Sequence, residues 1–216
     1  MDIVDPRIET YMAERLARFD QPVLLEMEAV AAERGFPIVG RNVGVTLEVL
    51  ARSVGARRVV ELGSGFGYSA YWFARAVGPQ GEIHCTDGDP TNRDDAMAYL
   101  ARAELDAAVT FHVGDAVQSL HDLDGTFDVV YNDIDKEGYP EAWQASRDRV
   151  RVGGLYICDN VLWYGRVTGD EPLEDRWQRT TTEAVLEHNR SIADDERYVS
   201  TIVPTRDGVL VAVRIS

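Results

Sequence analysis

Lysine is nearly absent from this chain. Of its 22 lysine and arginine residues, every one except Lys136 is arginine. Arginine meets any surface charge role but does not release its proton near neutral pH. A lysine amine does, once burial or a nearby cation lowers its pKa. The one lysine lies in FDVVYNDIDKEGYP (127–140), beside Asp133 and Asp135. It reads as a titrating group or as the chance survivor of an arginine-biased surface. The count alone leaves these equal; the neighbours favour the first.

Positive charge is short overall, with 37 acidic against 22 basic residues and a formal net charge of −15. Such a surface repels nucleic acid phosphates and anionic membranes, so neither is an expected partner. The basic clusters Arg57-Arg58 and Arg147/Arg149/Arg151 read as solvated helix ends. Cysteine is limited to Cys85 and Cys158, both inside apolar runs. That excludes a disulfide framework and a cysteine metal spacing, and two packed, reduced thiols fit the cytoplasm. No run approaches membrane-spanning length, and the N-terminus MDIVDPRIETYMAERL lacks a signal-peptide core. His84, His112, His121 and His188 show no metal spacing; His84 and His112 read as core or sheet-edge residues.

What is present is an alternation of apolar runs and helical patterns. A chain of 216 residues, 45% apolar, suits one domain over 1–216. Helices are expected over 6–19 and 21–34, with Pro6 and Pro22 near their starts, and over 43–54. These N-terminal helices (1–54) are expected to cover the site and to dimerise. Strand-like runs follow at 57–62, 82–87, 108–113, 127–133 and 154–160. Helices are expected between them at 68–76, 91–104, 115–121 and 137–149. A polar loop and a long helix over 173–190 precede two last strands, 198–204 and 209–215, joined by the tight-turn signal Thr-Arg-Asp-Gly. Alternating strands and helices predict a mostly parallel α/β sheet covered on both faces, and the closing hairpin adds an antiparallel strand.

In open α/β sheets ligands bind outside the carboxyl ends of the strands. The first five strands end on Glu61 with GSGFG (63–67), Asp87, Gly114-Asp115, Asp133 with Asp135 and Lys136, and Asp159-Asn160. Five polar signals at one edge outweigh any single one. The glycine loop alone is a weak signal, since a tight strand-to-helix turn favours glycine for backbone reasons. Glu61 sharpens it, because a carboxylate there suits a cationic ligand better than a pyrophosphate. Asp87 stands where an acid commonly holds ribose hydroxyls. Together they fit a positively charged nucleoside rather than a dinucleotide.

VVELGSGFGYSAYWFA resembles the first motif of S-adenosylmethionine-dependent methyltransferases. FDVVYNDIDKEGY and GGLYICDNVLWYGRV resemble the metal-dependent small-molecule O-methyltransferases, the catechol and caffeoyl-coenzyme A group. The likeness runs from about residue 35 to the C-terminus, and the D-x-D-K-x-x-Y plus D-N-x-L-W pair is its specific part. It implies a Rossmann-like class I methyltransferase fold with a seven-stranded sheet. It also implies roles. Glu61, Gly63, Ser64 and Ser69 match positions around the methionine part and ribose of the cofactor, Asp87 the acid on the ribose, and Asp115 and Ala116 the adenine side. Asp133, Asp159 and Asn160 match metal ligands, with Asp133 and Asp135 also on the cofactor side. Lys136 matches the general base. Two carboxylates and an amide oxygen form a hard set suited to Mg²⁺. Taken singly, Asp159-Asn160 also reads as a turn start and Asp133 as a helix cap.

Three residues depart from the pattern: Tyr164, where plant relatives place an asparagine on the substrate, Asn132 and Gly88. Trp163 and Tyr164 read equally as walls of an acceptor pocket or as packing, while Trp143 and Trp177 read as helix packing. The expected reaction is Mg²⁺-assisted O-methylation of a small, catechol-like hydroxylated acceptor, by a homodimer on family habit. A tRNA wobble hydroxyuridine methyltransferase is the same-family alternative, opposed by the charge. A nicotinamide-dependent dehydrogenase is opposed by the G-x-G-x-G spacing and Glu61, and a non-catalytic cofactor binder by the intact ligand set.

Overall fold

The computed structural model describes residues 3–170 and 173–216. Its helices are α1 (Pro6–Arg15), α2 (Pro22–Arg34), α3 (Gly40–Ser53), α4 (Tyr68–Val77), α5 (Pro90–Arg102), α6 (Ala116–Asp122), α7 (Tyr139–Ser146) and α8 (Arg176–Ala193). Its strands are β1 (Arg58–Leu62), β2 (Glu82–Asp87), β3 (Val109–Val113), β4 (Phe127–Asn132), β5 (Val150–Cys158), β6 (Tyr198–Val203) and β7 (Val209–Arg214). They form one seven-stranded sheet in the order β3-β2-β1-β4-β5-β7-β6. β1 to β5 pair in parallel; β7 runs antiparallel to both β5 and β6.

Strand alternation divides the core in two. Val59, Ile83, Val129, Tyr131 and Ile157 meet α2, α3 and α4 through Leu24, Met27, Leu47, Trp72 and Phe73. Val60, Leu62, Val130 and Tyr156 face the other way, onto Trp143 of α7 and Val185 and Ile192 of α8. Both faces of the central strands are thus apolar, as a covered parallel sheet requires. Strand order reverses at β1, whose neighbours are β2 and β4, and this is where open α/β sheets place their ligands. Among the described residues no helix is long and apolar enough to cross a membrane.

Some boundaries differ from expectation. The first helix breaks at Leu16 (φ −96°, ψ 3°) and continues as a 3₁₀ turn over Ala17–Phe19. The helix expected over 137–149 is a 3₁₀ turn, Lys136–Gly138, followed by α7. β5 starts at Val150 and stops at Cys158, leaving Asp159 and Asn160 just beyond its end. α8 is set three residues later than expected, with Asp175 as its N-cap accepting from the Gln178 N–H. Of the clustered arginines, Arg147 is the half-exposed C-cap of α7, as expected, while the others do not stand at helix ends. Arg58 and Arg151 stand in strands, and Arg149 spends its guanidinium on the carbonyls of Leu120, Leu123 and Gly125. Asp128 collects the Arg57 and Arg58 N–H groups and the Arg151 side chain.

One glycine sets the packing of α3 on α4. A Cβ on Gly44 would lie 2.1 Å from Trp72 Nε1 and 2.5 Å from two further indole atoms. Trp72 is fully buried and has no room to withdraw. Gly44→Ala is therefore expected to destabilise the protein by about 1–3 kcal/mol despite alanine's better helix propensity. Thermal unfolding checks this; an unchanged or raised Tm refutes the tight contact.

Candidate active site

The carboxyl ends of β1 to β5 open into a cleft of about 940 Å³, within the size range of small-ligand sites. Its lining contains Gly63, Ser64, Ser69, Asp87, Asp115, Ala116, Asp133, Asp135, Lys136, Asp159, Asn160, Trp163 and Tyr164. Glu61 is the one predicted site residue outside the lining. It is buried beneath the glycine loop, with Cys85 Sγ 3.6 Å from Oε2 and no hydrogen-bond partner on Oε1. Burial pushes its pKa up to about 7, and the nearby Ser69 and Ser64 hydroxyls and the Cys85 thiol oppose the rise.

The loop after β1 is shaped by close approach. Gly63 has φ 83°, and a Cβ there would stand 2.6 Å from the Asp133 carbonyl oxygen. Only glycine fits where the β1 and β4 exits cross. Ser64 Oγ accepts from Thr86 N at 3.1 Å, pinning the loop to β2. Ser69 is buried in the first turn of α4. Asp87, at the end of β2, accepts from Gly65 N (3.0 Å), Asp89 N (2.8 Å) and Asn92 Nδ2 (3.0 Å). A carboxylate has about four acceptor sites, so capacity remains for a ligand. Asp115 is the N-cap of α6 and accepts from Gln118 N at 2.7 Å.

The acidic centre lies at the β4 and β5 exits, which are adjacent in the sheet. Asp159 is 2% exposed, and its Oδ1 has no partner. Burial raises its pKa, as does repulsion from Asp133; burial likewise raises that of Asp133, against the pull of Lys136. Lys136 Nζ donates to Asn160 Oδ1 at 2.9 Å and lies 3.5 Å from Asp133 Oδ1. It sits 4.9 Å from the Tyr139 ring centroid, while Tyr139 Oη donates to the Asp159 carbonyl at 2.7 Å. Asn160 takes φ 55°, a region asparagine tolerates better than most residues. Asp133 caps no helix; the N-cap position of the following turn is Asp135. Among the described residues no three His, Cys, Asp or Glu side chains cluster as a metal set, so the candidate set is two carboxylates and one amide.

The outer wall is aromatic. Trp163 and Tyr164 take φ 48° and 56°, in the left-handed region that bulky residues rarely adopt. Trp177 is the correction here: it is half exposed, lines the cleft, and meets Trp163 edge-on at 5.7 Å. Trp143 is core, as expected. Cleft residues absent from the sequence reading include Phe36, Ile38 and Arg206. Nothing local marks the first two, and Arg206 was hidden in a turn signal. Asn132 is buried, with its Nδ2 3.4 Å from Cys158 Sγ, and Gly88 lines the cleft.

The family model described as O-methyltransferase matches residues 14–215. A catechol O-methyltransferase of Niastella koreensis is 32% identical over 173 residues, covering 77% of this chain and 78% of that protein. A caffeoyl-CoA O-methyltransferase of Medicago sativa is 28% identical over 206 residues, covering 91% and 83%. The O-methyltransferase TomG of Streptomyces achromogenes, solved in complex with S-adenosylmethionine, superposes with TM-score 0.82 at 27% identity over 91% of each chain. A Bacillus cereus O-methyltransferase solved with the demethylated cofactor gives TM-score 0.82 at 26% identity, covering 96% and 99%. The chain belongs to the O-methyltransferase family and is an S-adenosylmethionine-dependent O-methyltransferase.

Proposed function

We propose that this enzyme methylates a hydroxyl of a small catechol-like acceptor, assisted by a divalent cation of the Mg²⁺ type. The observation that carries the reading is the unpartnered, buried Asp159 Oδ1 beside Asp133, with Lys136 and Asn160 completing the group. A buried carboxylate oxygen with no donor is costly unless a cation meets it. Asp133, Asp159 and Asn160 would hold that cation, a hard oxygen set that leaves positions for water and acceptor oxygens. When bound, it supplies Lewis-acid stabilisation of an acceptor oxyanion.

Lys136 is the base. In its neutral form the amine keeps two N–H donors and one lone pair. The donors suit Asn160 Oδ1 at 2.9 Å and Ile134 O at 3.4 Å, and the lone pair takes the acceptor's hydroxyl proton. Trp163, Tyr164 and Trp177 hold an aromatic ring and keep water from it. The remaining work is positioning.

On the cofactor side, the carboxyl of Glu61 beneath the loop and the close approach at Gly63 favour a cationic ligand near the backbone. Asp87 has acceptor capacity for ribose hydroxyls, Asp115 and Ala116 follow the neighbouring strand β3, and Asp135 follows β4 in the same cleft. The free, buried cysteines fit a reducing compartment such as the cytoplasm. Ile8, Tyr11 and Leu25, exposed on α1 and α2, support a homodimer through the N-terminal helices.

Asp87→Ala is expected to weaken binding of S-adenosylmethionine by about 1–3 kcal/mol, because the ribose hydroxyls lose a charged partner. Titration calorimetry measures it, with NAD as the control ligand. Measurable NAD affinity, or an unaffected Asp87→Ala variant, overturns the cofactor assignment.

A further inference from the structure

We infer that the acceptor carries a carboxylate, and that Arg206 is the residue that selects it. The inference rests on the catechol reading above and adds the anionic group. Arg206 belongs to the turn between β6 and β7, whose main chain is joined to the loop after β5 that carries Trp163 and Tyr164. Val161 N donates to Gly208 O at 3.1 Å and Leu162 N to Asp207 O at 2.9 Å. Asp207 Oδ1 accepts from Tyr164 N at 2.6 Å. The turn therefore stands on the β5 side of the cleft, with Asp159, Trp163 and Tyr164, and away from the glycine loop.

Arg206 is exposed at the mouth of the cleft and lines it. Among the described residues, Lys136 and Arg206 are the only cations in that lining. Lys136 is engaged by Asn160 and Asp133. Arg206 is differently placed. Its Nη1 donates to Ile38 O at 2.5 Å; its charge reaches Asp133, Asp159 and Asp207, but among the described residues none of them closes to an ion pair with it. A guanidinium has five N–H donors, so most of the fork is available. Its backbone has φ 47°, a conformation such a turn ordinarily gives to glycine or asparagine. A long side chain kept at a strained position, beside a site, points to use.

The chemistry follows from the shape of the fork. A planar guanidinium matches a carboxylate by two parallel hydrogen bonds. The aromatic wall of Trp163 and Trp177 takes the ring, and Asp133, Asp159 and Asn160 mark the hydroxyl end. The acceptor class is then a dihydroxylated aromatic acid, with its carboxylate outward at Arg206. The net charge of −15 makes this specific, since the surface as a whole turns anions away.

Calorimetry on the enzyme loaded with Mg²⁺ and the demethylated cofactor tests this. The probes are 3,4-dihydroxybenzoate, its methyl ester, and the coenzyme A thioester of a dihydroxycinnamate. The wild type is expected to bind the acid ~10- to 100-fold more tightly than the ester, the span of a charged hydrogen-bonded pair. Arg206→Gln should collapse that ratio, and Arg206→Lys should restore part of it. A merely structural role at Ile38 would weaken both ligands together and leave the ratio intact. Equal binding of acid and ester by the wild type, a ratio that survives Arg206→Gln, or tighter binding of the thioester than of the acid each overturns the inference. Turnover measured in parallel separates it from the parent reading. Acid preference without methyl transfer removes the catechol reaction and keeps the anion contact; transfer without preference does the reverse.

Discussion

Chelation by EDTA is expected to abolish methyl transfer, and added Mg²⁺ or Mn²⁺ to restore it. Asp159 is 2% exposed, its Oδ1 lacks any donor, and Asp133 stands beside it. Burial and mutual repulsion both raise the Asp159 pKa. An acid whose pKa is raised on folding costs stability above its unfolded pKa near 3.8 and returns it as pH falls towards that value. At neutral pH the two buried carboxylates therefore work against folding, and a cation held between them would offset that cost. Asp159→Ala should lower turnover by at least ~10²-fold, since metal assistance to a developing oxyanion is worth several kcal/mol. Calorimetry should show Mg²⁺ binding lost. Asp159→Asn, by the same logic, should have a metal-free Tm no lower than wild type. Full activity in chelator sinks the metal assignment and leaves Lys136 to activate the hydroxyl unaided.

Much of this architecture was legible in the residues. Apolar runs ending in Glu61, Asp87, Gly114-Asp115, Asp133 and Asp159 placed five strand ends, and parallel pairing brings them to one edge. The predicted site residues all line the cleft except Glu61, which lies beneath it. The glycine loop was legible because a steric demand, the 2.6 Å approach to Asp133 O, leaves only one residue type.

What was not legible depends on distant partners. Trp177 shows the helical spacing of a packed residue, yet its ring meets Trp163 across the loop at the cleft. Arg149 looks like surface charge, but three carbonyls, one in α6 and two in the loop to β4, define its place. Arg206 sits in a turn that predicts a hairpin correctly, and the turn signal says nothing about which cleft it overhangs. The early break at Leu16 and the split before α7 are boundary effects, which local pattern fixes least well.

Lys136→Arg is expected to lower the catalytic rate by roughly 10²–10⁴-fold, the effect of losing an acid–base group, while cofactor affinity stays near wild type. Arginine keeps the positive charge, and with it the attraction to Asp133 at 3.5 Å and a donor for Asn160 Oδ1. It removes the accessible lone pair, because a guanidinium holds its proton throughout the working pH range. The substitution thus separates proton transfer from electrostatics. The packing around the amine gives the same test a second readout. Lys136 is only 12% exposed, held between the Tyr139 and Trp163 rings at 4.9 and 5.8 Å. As the one lysine in the chain, it shares amine-directed labelling only with the terminal amino group. Acceptor and Mg²⁺ together should slow labelling at Lys136 and leave the terminus unaffected. If Lys136→Arg turns over at the wild-type rate, the lysine serves charge and packing alone, and the hydroxyl loses its proton to water.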